Sequence, residues 1–121
     1  MAADEHIGPD ARRCIDECLR CYQTCLGTAM SYCLEKGGKH VEPQHFRLMM
    51  ACAEICRTSA DLILRASGLH RDVCAVTADA CDFCAESSSR LADDEVMRRC
   101  AEACRRCGTA CRQLAGVEFP A

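Results

Sequence analysis

The sequence predicts an all-α protein, an antiparallel up-down-up-down four-helix bundle with a cysteine-lined core. Breakers divide the chain into four stretches of about 20 to 27 residues, a usual length for bundle helices. Within these stretches cysteines recur at steps of three and four residues, which places side chains on one face of a helix. Alternating apolar runs, which indicate strands, are nearly absent. We expect one metal-binding domain over residues 1–121.

Ordinary start and stop signals mark each helix in turn. Pro9 suits the first helical position of the first helix, and the glycine pair that begins at Gly37 ends it. Gly68 follows the second helix, after which the third begins within a few residues. Asp93 is a good N-cap for the fourth. The helices are expected over about residues 9–35, 44–66, 71–91 and 94–114.

The first and last helices carry the same C-x3-C-x2-C-x3-C motif. Its members are Cys14, Cys18, Cys21 and Cys25 on the first helix and Cys100, Cys104, Cys107 and Cys111 on the last. The same steps fall on His45, Met49, Cys52 and Cys56 in the second helix, and the third has Cys74, Cys81 and Cys84, with Thr77 in place of a thiol. Positions that leucine and isoleucine normally fill in a bundle are therefore filled mostly by sulfur.

The antiparallel arrangement predicts which thiols lie at the same height. Between the first and last helices these are the pairs whose residue numbers sum to 125, from Cys14 with Cys111 to Cys25 with Cys100. The same reasoning puts Cys52 level with Cys84, Cys56 with Cys81, Cys84 near Cys100 and Cys25 near Cys56. Thiols from all four helices should share a span of about 16 Å at 1.5 Å per residue, and Cys33 should extend it.

The two ends of this column differ in composition. At one end the inward positions continue into an apolar plug of Ala11, Ile63, Ala66 and Leu114. At the other end they carry Cys33, His45, Met49 and Met97, with His40 in the adjoining loop. Thiolate, thioether and imidazole are ligands that soft or borderline metals accept. The second end is therefore predicted to be the entrance for metal ions.

Charge and hydropathy exclude several classes of partner. The net charge of −3 with both signs interspersed gives no basic face for nucleic acid or membrane lipid. No apolar run approaches the roughly 20 residues that span a bilayer. The first fourteen residues lack the apolar region of a signal peptide, so we expect a cytosolic protein with reduced thiols.

Fourteen cysteines on inward helix faces favour metal binding over an inert core or structural disulfides. Structural zinc and iron–sulfur clusters usually take four thiolates from loops or turns, whereas here the thiols form continuous rows. Copper(I) is soft and accepts few ligands, so a C-x3-C pair can bind it. The hypothesis is storage of multiple Cu(I) ions without catalysis, on the order of 7 to 14 by ligand counting. An iron–sulfur electron carrier and a thiol redox sensor are the alternatives.

The predicted metal ligands are all the cysteines together with two residues of the second helix. They are Cys14, Cys18, Cys21, Cys25, Cys33, Cys52, Cys56, Cys74, Cys81, Cys84, Cys100, Cys104, Cys107, Cys111, His45 and Met49. For His40, His70, Met30 and Met97 the sequence leaves metal binding open. Besides copper ions, a copper chaperone or copper-requiring enzyme and further copies of the chain are the expected partners.

From Cys14 to Cys111 the chain resembles the bacterial copper storage proteins, and the lack of a signal peptide is similar to their cytosolic branch. The rows of C-x3-C and the His/Met cluster at one end carry the resemblance. It implies a four-helix bundle, often a tetramer, that binds numerous Cu(I) ions through core thiolates. It also implies that copper passes His45 and Met49, and less directly Met97, on its way in. The second helix is poor in cysteine, which affects the expected capacity.

Overall fold

Four helices make up the part of the chain that the computed structural model describes, residues 7–91 and 93–116. The remainder of the expected domain, residues 1–6, 92 and 117–121, lies outside the described residues. No strand occurs in residues 7–91 and 93–116. The all-α, four-helix prediction is confirmed.

Helix α1 is continuous but changes type near its end. It runs as α-helix over Pro9–Thr28, widens into a π turn over Ala29–Cys33, and ends in a last α-helical turn over Leu34–Lys36. A short 3-10 turn, Gly38–Val41, leads into the second helix. The other helices are α2, Pro43–Leu64, α3, His70–Ser89, and α4, Glu95–Ala115.

The helix ends follow from local chemistry. Pro9 is the first helical residue of α1, and Gly37 and Gly38 turn the chain with φ of 69° and 57°, a left-handed region that favours glycine. Both carboxylate oxygens of Glu42 accept hydrogen bonds from the first amides of α2.

Two local expectations are wrong. The N-cap of α4 is Asp94 rather than Asp93, because Asp94 has the extended backbone of a cap and its Oδ1 accepts from the Val96 amide at 2.9 Å. Ala66 does not join the apolar plug. It follows the end of α2 with a φ of 53° and is exposed, so the turn into α3 takes it away from the core.

The helices enclose one core, each packing against two neighbours. Helix α1 contacts α2 and α4, and α3 contacts the same two helices from the opposite side. Small residues allow α3 and α4 to approach closely, because a Cβ on Gly108 would lie 3.5 Å from the Cβ of Cys81. At the end of the bundle near Pro9, Ala11, Ile63 and Leu114 are buried. None of the described helices is long and apolar enough to span a membrane.

Candidate metal centre

All fourteen cysteines are free thiols with no exposed surface. They lie on the inward faces of the four helices, because steps of three and four residues return to the same side of a helix. The side chains nearest to them are mainly alanine, with few large apolar groups. The centre of the bundle is therefore a column of sulfur rather than an ordinary aliphatic core.

The thiols of α1 and α4 meet in the predicted register. Cys14 lies 3.6 Å from Cys111, Cys18 lies 3.7 Å from Cys107, Cys21 lies 3.8 Å from Cys104, and Cys25 lies 3.8 Å from Cys100, each distance measured between Sγ atoms. All four pairs whose numbers sum to 125 are thus in contact. Two straight antiparallel helices with the same spacing of cysteines keep this alignment along their shared length.

In the middle of the column the thiols form two groups of four that share Cys21. One group is Cys21, Cys25, Cys52 and Cys104, and the other is Cys21, Cys56, Cys81 and Cys107, with the sulfur atoms of each group within 4.8 Å of one another. The expected pairing of Cys56 with Cys81 is present at 3.8 Å. The expected proximity of Cys25 to Cys56 is off by one turn, since Cys25 groups with Cys52 and Cys56 groups with Cys21.

Towards the plugged end the groups contain three thiols. They are Cys14, Cys74 and Cys111, and Cys18, Cys107 and Cys111. The hydroxyl of Ser59 lies 3.6 Å from the sulfur of Cys74 and adds a polar neighbour. Cys107 and Cys111 each belong to more than one contact set, so the groups run into one another along the axis.

Towards the other end, Cys84 and Cys100 continue the column beyond Cys25. Hydrogen bonding with Cys100 lowers the pKa of the Cys84 thiol, since it favours the thiolate form. Ser88 Oγ lies 3.9 Å from the sulfur of Cys100. Polar neighbours of this kind can stabilise a thiolate after its proton has left.

The last sulfur cluster of the column mixes a thiol with two thioethers. The Sγ atom of Cys33 lies 3.9 Å from the Sδ atoms of both Met49 and Met97, and none of the three side chains is exposed. Cys33 belongs to the π turn of α1, which brings it inward although it follows Cys25 by eight residues. Burial raises the pKa of the Cys33 thiol to about 11. Met97, left open by the sequence, therefore contacts the predicted ligand Cys33.

His45 stands beside this end of the column on α2. Its side chain is 5% exposed, its Nδ1 lies 2.7 Å from the hydroxyl oxygen of Ser87 on α3, and its buried Nε2 has no hydrogen-bond partner. Burial lowers the pKa of His45, which favours the neutral imidazole that binds metals. Sequence periodicity did not identify Ser87, because it is one of three consecutive serines that belong to no recognisable motif.

The residues left open by the sequence lie in different surroundings. His40 Nε2 lies 3.1 Å from an Asp94 carboxylate oxygen, outside the sulfur column. His70 Nδ1 lies 3.1 Å from the carbonyl oxygen of Ser67 at the plugged end. Met30 is 41% exposed, one position away from the inward face. Of these histidines and methionines, Met97 alone is seen in contact with the thiols of the described column.

The arrangement suits soft metal ions held by bridging thiolates. Because the groups share Cys21, Cys107 and Cys111, they cannot act as independent sites with four ligands each. Thiolates bridge soft ions readily, and low coordination numbers are acceptable to Cu(I). Each thiol must release its proton when a metal binds, so uptake is coupled to proton release.

Comparison with known proteins agrees with this chemistry. The family model described as Csp, copper storage protein, matches residues 8–116. The solved structure of the protein Nmul_A1745 from Nitrosospira multiformis is 48% identical, with a TM-score of 0.85 over 90% of this chain and 97% of that one. The copper storage protein Ccsp of Streptomyces lividans, solved with 10 copper equivalents, is 33% identical, with a TM-score of 0.79 over 96% of this chain and 91% of that one.

A curated relative is an uncharacterized cysteine-rich protein, YhjQ, of Bacillus subtilis. It is 31% identical over 71 residues, which are 59% of this chain. The match spans 65% of the length of that relative. Neither the relatives nor the matching family is described as an iron–sulfur carrier or a redox sensor, so those two alternatives gain no support.

Proposed function

The chain belongs to the copper storage protein family, and from that premise we propose that it stores multiple Cu(I) ions in the cytosol. The observation that carries the proposal is the unbroken column of buried, free thiols whose groups share members. Ions held there are surrounded by sulfur and shielded from water, so they cannot take part in damaging reactions. A relative from Streptomyces lividans is described as a cytosolic copper storage protein loaded with five coppers.

We assign the ligands from contacts between the sulfur atoms. The fourteen cysteine thiolates hold the ions along the axis, and the two four-thiol groups around Cys21 form its centre. Met49 and His45 act at the predicted entrance for metal ions, at the end of the column that holds Cys33. The 3.9 Å contact of Met97 with Cys33 adds a second thioether there. Thioether and neutral imidazole are weaker, uncharged ligands, which suits an end where ions must be able to move on.

Ligand counting gives the capacity. When thiolates bridge, each ion uses between one and two cysteines, so the column would hold on the order of 7 to 14 Cu(I) ions. At the plugged end the buried Ile63 and Leu114 carry no metal-binding group, so loading would proceed from the end that carries His45.

We propose storage without catalysis. The thiols have no exposed surface, so a substrate could reach metal in the column only if the helices separated. An enzymatic metal site needs a coordination position that substrate can occupy, and the bridged thiolate groups are built to be filled by ions instead. The matching family is likewise described by storage.

The proposed partners are a copper chaperone or copper-requiring enzyme and further copies of this chain. Helix α1 carries an apolar row outside the core that includes Leu19, Met30 and the 55% exposed Leu34. Apolar rows on an exposed helix face are typical of subunit contacts. We propose that this face contributes to a homo-oligomer, and that this oligomer is the tetramer that the family resemblance implies. Light scattering during size-exclusion chromatography measures the assembly directly.

The deciding experiment is an anaerobic titration of the reduced apo-protein with Cu(I) against a competing chelator. Saturation at about seven ions per chain or more, the lower bound of ligand counting, is expected. Saturation at one or two ions would contradict storage, and isolation with tightly bound iron and sulfide would restore the iron–sulfur hypothesis. Circular dichroism of the same samples checks that the helices persist throughout.

A further inference from the structure

The environment of His45 contains a buried polar atom that the fold itself does not use. Nε2 is inaccessible to solvent and makes no hydrogen bond, whereas Nδ1 lies 2.7 Å from Ser87 Oγ. Buried polar groups in proteins are almost always paired, so an unpaired one needs a reason. A ring nitrogen that is kept free for a metal ion is such a reason.

The tautomer of His45 follows from this asymmetry. If Nε2 carried the proton, the fold would bury an N–H donor without an acceptor, which is rare in proteins. If Nδ1 carries the proton, it donates to Ser87 Oγ, and Nε2 presents a lone pair instead. Ser87 can accept this bond because a helical serine can turn its own hydroxyl hydrogen towards a backbone carbonyl of the preceding turn.

The location of the His45 ring also favours metal binding at Nε2. His45 lines two surface depressions of about 450 and 270 Å³, whose other walls include Ser87 and Arg90. One helical turn further along α2, Met49 Sδ lies 3.9 Å from the Sγ atom of Cys33 in the sulfur column. The imidazole thus stands between these surface depressions and the sulfur column.

We propose that Ser87 is a positioning residue, which fixes His45 in the tautomer whose Nε2 lone pair is the first ligand met by an incoming Cu(I) ion. This inference rests on the proposed storage function. Ligating histidines commonly donate their second ring N–H to a fixed acceptor, and loss of such an acceptor costs 10- to 100-fold in metal affinity or activity. Ser87 would supply that acceptor here, from the neighbouring helix α3.

The test combines a spectroscopic readout with a rate. Apo-protein labelled with ¹⁵N in histidine reports which ring nitrogen of His45 is protonated. Uptake is followed by stopped flow as the coloured bicinchoninate complex of Cu(I) loses its metal to the protein. The variants are Ser87→Ala, Ser87→Thr, which keeps the hydroxyl, and Ser89→Ala. The Ser89 hydroxyl donates to the Ala85 carbonyl and accepts from Arg105, and it does not contact His45.

In the wild type we expect Nδ1 protonated and Nε2 unprotonated. Ser87→Ala should give mixed tautomers and slow the uptake by about 10-fold, with an unchanged final number of ions. Ser87→Thr should restore both the tautomer and the rate, and Ser89→Ala should behave as wild type. A helical spectrum for each variant shows that the fold is intact.

Three results would overturn the inference. One is a Ser87→Ala variant with unchanged tautomer and rate. Another is a His45→Ala variant that takes up copper as fast as wild type while filling to the same capacity, which would leave the storage function standing. The third, saturation of the wild type at one or two ions, would remove the storage function together with this inference.

Discussion

The hydroxyl of Tyr32 donates a 2.5 Å hydrogen bond to a carboxylate oxygen of Asp94, and so joins the π turn of α1 to the N-cap of α4. The same carboxyl group caps α4 through the Val96 amide and lies 3.1 Å from His40 in the 3-10 turn. One side chain thereby connects the segments around the end of the bundle that holds Cys33 and Met97.

The Tyr32–Asp94 bond predicts a pH-dependent stability. Hydrogen bonding with Tyr32 lowers the pKa of Asp94 below its ordinary 3.8, and the same bond raises the pKa of Tyr32 above 10.0. The stabilisation from Asp94 is present above the ordinary carboxyl pKa and is lost as pH falls through the pKa of Asp94 in the folded protein. The stabilisation from Tyr32 is lost as pH rises through the pKa of Tyr32 in the folded protein. Tyr32→Phe should therefore lower the Tm at neutral pH, with a smaller difference in acid and in strong base.

Thermal unfolding of wild type and Tyr32→Phe across a pH series, followed by circular dichroism, measures this difference. The matched control is Tyr22→Phe, since Tyr22 is the second tyrosine and its hydroxyl makes no hydrogen bond to the described residues, its ring instead lying near Arg57. Equal Tm values for the two variants at every pH would show that the Asp94 bond adds nothing to stability.

Removal of Cys21 should reduce copper capacity more than removal of Cys74. Cys21 is common to both four-thiol groups, whereas Cys74 belongs to a single group of three. We expect Cys21→Ser to lose about two tightly bound ions and Cys74→Ser about one, by ligand counting. Anaerobic titration against a chelator gives both numbers, and the same loss in the two variants would argue against bridging at Cys21.

Copper should stabilise a fold that already exists without it. The buried Ile15, Ile63 and Leu114 and regular helix periodicity predict a helical apo-protein. A ligand at 1,000 times its Kd adds about 4 kcal/mol per site, so filling several sites should raise the Tm by more than about 10 °C. Circular dichroism with and without Cu(I) measures both quantities. An unfolded apo-chain would contradict a preformed column.

Gly108 lies at a close contact between α3 and α4, so a small and a large side chain at this position should affect stability differently. In Gly108→Ala the new Cβ would lie 3.3 Å from an exposed Asp82 carboxylate oxygen that can move. Since alanine favours a helix over glycine by about 1 kcal/mol, stability should not fall. Gly108→Leu would press on Cys81 and the Ala78 carbonyl and should cost about 1–3 kcal/mol. Urea unfolding compares them, and two equally stable variants would exclude a tight contact.

Periodicity and antiparallel register predicted most of what matters for the column. The four thiol pairs between α1 and α4 needed only spacing and helix direction, because both helices repeat one motif. The predicted height of Cys25 relative to the cysteines of α2 was wrong by one turn, since loop conformation sets the offset between neighbouring helices. Single side-chain contacts such as His45–Ser87 and Tyr32–Asp94 leave no periodic signal. They depend on the final separation of the helices, which spacing alone does not give.

The π turn means that α1 contains one residue more than its register requires. A step of seven residues would return a side chain to the face of Cys25, whereas the observed step to Cys33 is eight, which would rotate it by about 80° in a regular α-helix. The wider turn absorbs the surplus. Deletion of the exposed Ser31 should thus leave Cys33 facing inward on an ordinary helix. The reach of the sulfur column can therefore change by single insertions or deletions at this end without disturbing the thiols already aligned.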